Sequence, residues 1–164
     1  MKGNNSLVIL AMHGKVSDIK KALKLGADPN ERDASGRTPL HWAAQAGWLN
    51  VVRCLIESRA DLNAQDNMGF TPLVIAVGNG NESIVYELLK AGASAKIQVQ
   101  SNLSGTALHL ACSWNRFDIV KKLLELSDVE INAKDQDGKT ALAYAVEAGD
   151  KKLISCLKEH GGIV

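Results

Sequence analysis

One ten-residue motif occurs four times in this chain. TPLHWAAQAG at 38–47 returns as TPLVIAVGNG at 71–80, TALHLACSWN at 106–115 and TALAYAVEAG at 140–149. Their threonines stand at 38, 71, 106 and 140, so the period is 33, then 35, then 34 residues. An apolar stripe follows each block: VVRCLI at 51–56, IVYELL at 84–89, IVKKLL at 119–124 and LISCLK at 153–158. Turn-rich stretches such as RADLNAQD at 59–66 and VEINAKD at 129–135 come after the first and third stripes. One period before Leu40, NSLVILAMHG at 5–14 and GADPNERD at 26–33 supply a fifth unit. A fixed period of this length indicates a stack of supersecondary units, each contacting only its neighbours.

The chemistry of one unit predicts two short helices. Thr38-Pro39 and Thr71-Pro72 read as helix starts, because threonine caps the first turn and a proline there forfeits no hydrogen bond. Ala43, Ala44, Ala76, Ala111 and Ala145 are small enough to let helices approach closely. Gly14, Gly47, Gly80 and Gly149 end the first helix, and Asn115 stands in that place in the fourth unit. The second helix carries Val51, Val52, Leu55 and Ile56 on one broad apolar face. Neither helix is long enough to be stable alone, so the units must stack.

The pattern DxxGxTPLHxAAxxG, followed by VVxxLLxxGADxN, closely resembles the ankyrin repeat, and residues 33 to 63 match it most fully. The resemblance runs from 4 to 161. It implies an all-α solenoid of helix–turn–helix–β-hairpin units stacked into a curved array. The repeats are expected at about 4–36, 37–69, 70–104, 105–138 and 139–164, in a single domain. The first and last are expected to be caps, since Asp18, Lys21 and Lys158 place polarity where inner units are apolar. That polarity fits a complete array. Gly78 and Gly80 are expected to weaken the first helix of unit three, by roughly 1 kcal/mol each relative to alanine.

Composition narrows the class of function. Apolar residues are 46% and charged residues 23%, ordinary for a folded soluble domain. Nineteen Lys and Arg stand against eighteen Asp and Glu, with no basic run, which argues against nucleic acid as a partner. The longest early apolar run, LVILAM at 7–12, falls far short of the ~20 residues that cross a membrane. Three cysteines at 54, 112 and 156 fit free thiols in a reducing, cytoplasmic setting better than a disulfide framework. A specialised secretion route would leave no such mark.

Nothing in the chain reads as a catalytic centre, a metal site or a cofactor site. DQDG at 135–138 lacks the spaced oxygen ligands and closing Glu of a calcium loop. GNGN at 78–81 has neither a preceding strand nor a following Lys-Ser/Thr, as a phosphate loop needs. For His41 and His109 the resemblance implies a structural hydrogen bond to the neighbouring turn.

The same resemblance implies a protein-binding module whose partner is read by the letters the scaffold leaves free. In units three and four these are large and apolar: Met68, Phe70, Leu103 and Trp114, beside the small Ala46, Gly78 and Gly105. Aromatic anchors with room beside them resemble a binding hot spot. Arg37 and Arg116 flank the group as candidate partners for carboxylates. Trp48, just after Gly47, is a further, half-exposed candidate. The competing reading for Met68 and Leu103 is packing under their own hairpins, whereas Trp42 is expected in the core. The connection 92–105 is two residues longer than its counterpart, and IQVQ suggests an extended finger.

The leading functional expectation is an adaptor or inhibitor, monomeric by itself, that binds another protein on the concave face of repeats two to four. The alternatives are a regulatory subunit of a larger enzyme complex and a microbial effector acting on host proteins.

Overall fold

A computed structural model describes residues 6–99, 105–127 and 129–164. Each repeat contributes a helix pair. The first helices are α1 (Leu7–Met12), α3 (Pro39–Ala46), α5 (Pro72–Asn79), α7 (Ala107–Ser113) and α9 (Ala141–Ala148). The second helices are α2 (Val16–Lys24), α4 (Leu49–Glu57), α6 (Glu82–Lys90), α8 (Phe117–Leu126) and α10 (Lys151–Glu159). First helices pack on first helices and second on second, from one end of the chain to the other. The result is a two-layered all-α ankyrin solenoid.

Local chemistry sets the helix boundaries. The Thr71 and Thr140 hydroxyls accept the backbone N–H groups of Val74 and Ala143. Thr38 and Thr106 do more, each forming a reciprocal cap with the histidine three residues on. Gly47, Gly80 and Gly149 close α3, α5 and α9 in the left-handed conformation, and Asn115 adopts it after α7 at φ 53°. Asparagine is the side chain that tolerates this geometry best.

The core lies between the layers. Leu7, Leu40, Leu73, Leu108 and Leu142 from the first helices are sealed off, as are Ile19, Leu55, Leu88, Leu123 and Leu157 from the second. Each such side chain contributes about 2 kcal/mol of burial, which no single repeat could collect without neighbours.

The connecting hairpins are reduced to tight turns among the described residues. Asp33, Asp66 and Asp135 each donate their N–H to the carbonyl four residues on, at Arg37, Phe70 and Lys139. In the fourth repeat the same bond runs from Val99 to Gly105, six residues apart, within an isolated antiparallel bridge. The two extra residues of the long connection therefore lie between Val99 and Gly105. Val99, standing where the other turns use aspartate, is fully buried. The rest of the expected finger, 100–104, is outside the described residues.

Candidate functional site

First helices and turns present one continuous face, and a depression of about 150 Å³ opens on it where repeats two, three and four meet. Val74 and Ile75, almost wholly buried, form its floor, with Phe70 and Trp114 as half-buried walls. Gln45 and Asn79 stand at the rim beside Arg37. Gly78 makes this arrangement possible. A Cβ there would lie 2.9 Å from the Trp114 ring, so only glycine lets the indole rest against α5. Trp114 itself follows the last turn of α7, its N–H bonded to the Leu110 carbonyl.

Arg37 is held by three partners of its own chain. Its Nε donates to Asp66 Oδ2 at 3.0 Å and its Nη1 to Gln45 Oε1 at 2.6 Å. The guanidinium also lies over the Trp42 ring, 5.1 Å from the centroid. Asp66, with a side chain only 2% exposed, accepts the N–H groups of Met68 and Phe70 as well. Arg37 therefore ties the second turn to the third before any partner arrives. Trp42 is half-buried rather than core, because its indole N–H donates to Asp33 at 2.8 Å. Tyr144 does the same for Asp135. That bond and burial push the Tyr144 hydroxyl up to about 12. Burial raises the Asp135 carboxyl, yet the Tyr144 hydroxyl and two backbone N–H groups outweigh it and hold it below its usual value.

The remaining sequence candidates fall elsewhere. Met68 sits at the turn tip, 56% exposed, and does not line the depression. Leu103 is outside the described residues. Trp48 and Arg116 belong to a second feature, a ladder along the edge where the two helices of each repeat join. Trp48 lies over Gly14 of the preceding repeat and donates its indole N–H to the Met12 carbonyl at 3.2 Å. Asn81 lies over Gly47 and donates to the Ala44 carbonyl at 2.8 Å. Arg116 lies over Gly80 and donates to the Gly78 carbonyl at 3.2 Å. Each is the residue just after the turn, and each clamps the previous repeat. The sequence signal for it was a large or polar side chain about one period beyond a glycine.

The histidines serve the scaffold. His41 Nδ1 accepts the Thr38 N–H, while Nε2 bonds to the Phe70 carbonyl of the next repeat at 3.0 Å. His109 spans the fourth and fifth repeats likewise, reaching the carbonyls of Ala133 and Lys139. Burial lowers the His41 pKa below its ordinary value. Cys54, Cys112 and Cys156 are free and buried, and burial pushes the Cys112 thiol up to about 12. Among the described residues no cluster of three or more His, Cys, Asp or Glu could hold a metal, and no helix is long and apolar enough to cross a membrane. A wider opening, about 520 Å³ beside Lys20, Leu23 and Lys24, lies between the second helices α2 and α4. Lys20, Lys24, Glu57 and Ser58 line it together with Leu23, Ala27, Pro29 and Cys54, and no aromatic side chain walls it.

Helix pairs stacked in two layers, with their turns linked from repeat to repeat, define a solenoid of short helical repeats. The chain belongs to the ankyrin-repeat family: the family model for ankyrin repeats in three copies matches residues 7–101 and 93–163. Human inversin is 32% identical over 156 residues, which are 95% of this chain and 15% of inversin. The mouse nuclear factor NF-kappa-B p105 subunit is 31% identical over 84% of this chain and 14% of its own length. An L-asparaginase of Dirofilaria immitis is 30% identical over 94% of this chain and 26% of its own. The chain thus spans about a quarter or less of these relatives. Ankyrin repeats are generally protein–protein interaction modules.

Proposed function

We propose that this chain is a non-enzymatic binding module, an adaptor or inhibitor, that grips a protein partner on the first-helix face of repeats two to four. The observation that carries this reading is the depression between Phe70 and Trp114. Large apolar groups stand there at positions the repeat leaves free, over a floor of Val74 and Ile75. Half-buried aromatic walls around an unfilled apolar hollow suit a protruding side chain of another protein. The three buried free thiols support a reducing, cytoplasmic setting.

Asn79→Phe tests it, because residue 79 is exposed at the rim and a ring there would fill the hollow without removing core. Affinity capture from native lysate should lose its protein partner with this variant while the melting temperature stays close to wild type. Equal capture by both would refute the assigned face. A second reading, regulation of an associated enzyme, draws on the repeat segment shared with a protein named L-asparaginase. A native complex of fixed stoichiometry containing an enzyme would favour it.

A further inference from the structure

We infer that the depression takes one apolar side chain from an acidic segment of the partner, with Arg116 receiving a carboxylate beside it. The inference rests on the binding face proposed above and specifies what binds there. Size sets the anchor. The hollow of about 150 Å³ matches, to order of magnitude, a cavity that accepts a benzene ring, which suits a leucine or phenylalanine side chain.

Charge sets the flanks. No Asp or Glu lines the depression, while Arg37 stands on its rim. The one carboxylate that Arg37 bonds, Asp66, is buried beneath it and out of a partner's reach. Arg37 commits Nε and Nη1 to its own chain, and among the described residues Nη2 makes no hydrogen bond. Arg116 is exposed, two residues beyond the Trp114 wall, and its hydrogen bond goes to the neutral Gly78 carbonyl. Among nearby carboxylates Glu82 is paired with Lys122 and Glu147 with Lys139, while Asp118, two residues beyond Arg116, is exposed and lies outside the lining of the depression. An incoming apolar residue would thus meet the Arg37 guanidinium and no carboxylate in the lining, with Arg116 just outside it, bonded to the carbonyl of the lining Gly78. Such a rim favours acidic partners and disfavours basic ones through electrostatic complementarity.

The test is a library of short peptides, each with a central Leu or Phe between flanks of Glu, Gln or Lys, selected on the full chain. Enriched peptides should carry Glu flanks. Their affinity should fall about threefold, with a weaker salt dependence, for Arg116→Gln. Arg116→Lys should recover most of that loss. Asn79→Phe should cost about thirtyfold, the effect of removing a hot-spot anchor. Peptides lost with Asn79→Phe but bearing neutral or basic flanks would overturn the acidic partner and leave the face intact. Peptides that bind Asn79→Phe as well as wild type would overturn the face itself. A library yielding no binder would overturn the inference, since the hollow is already formed in the free chain.

Discussion

Arg59 occupies a backbone position that its own scaffold assigns to glycine. It sits at φ 59°, where the equivalent Gly26, Gly92 and Gly161 lie at 89°, 96° and 88°. A side chain in the left-handed region costs about 1 kcal/mol, and no Cβ contact crowds those three glycines. Arg59→Gly should therefore raise stability, by somewhat less than about 1 kcal/mol because glycine also gains freedom in the unfolded chain. Chemical denaturation reads this directly. Gly78 is the opposite case. Its replacement by alanine in an exposed helix would gain about 1 kcal/mol of propensity. Here the new Cβ would press on the Trp114 ring, so Gly78→Ala should show no net gain and should weaken partner binding. A stabilised variant with unchanged binding would separate Trp114 from the site. Trp48→Ala should do the reverse and cost about 1 kcal/mol of stability through the lost clamp, with partner affinity retained.

His41 acts between elements, joining the start of α3 to the turn before α5. Its Nδ1 must stay unprotonated to accept the Thr38 N–H, and burial keeps its folded pKa below the ordinary 6.5. Above pH 6.5 both folded and unfolded chains hold the ring neutral, and stability is full. Below it the unfolded chain takes up a proton that the folded chain resists, so stability falls with pH until the lower folded pKa is passed. Denaturation midpoints measured between pH 7 and 5 should decline, with a shallower slope in His41→Asn. Asp33 is raised by burial but lowered further by its N–H and indole donors, so its contribution disappears only at more acid pH, below 3.8. The third repeat lacks this device, having Val74 in the histidine position. That valine is instead the floor of the depression, which places the hollow where a scaffold hydrogen bond has been given up.

At the scale of the whole molecule, the array and its helix pairs were legible because period, caps and apolar stripes all repeat. The candidate site was legible in part. Phe70, Trp114, Gly78 and Arg37 come together as their positions in the unit suggested, and Met68 does not join them. Two things stayed hidden, both for the same physical reason. Trp48 and Arg116 touch residues 36 and 38 positions earlier, so their clamping role depends on the lateral stack rather than on their own repeat. Arg37 looked like a free charge until the next turn brought Asp66 against it. The central claim, that a partner enters the hollow between Phe70 and Trp114, is tested most directly by site-specific photo-cross-linking in the native complex. A photoreactive side chain at position 79, on the rim, should capture the partner, and the same group at position 86, exposed on α6, should not. Cross-links from 86 alone, with the partner still bound, would contradict it.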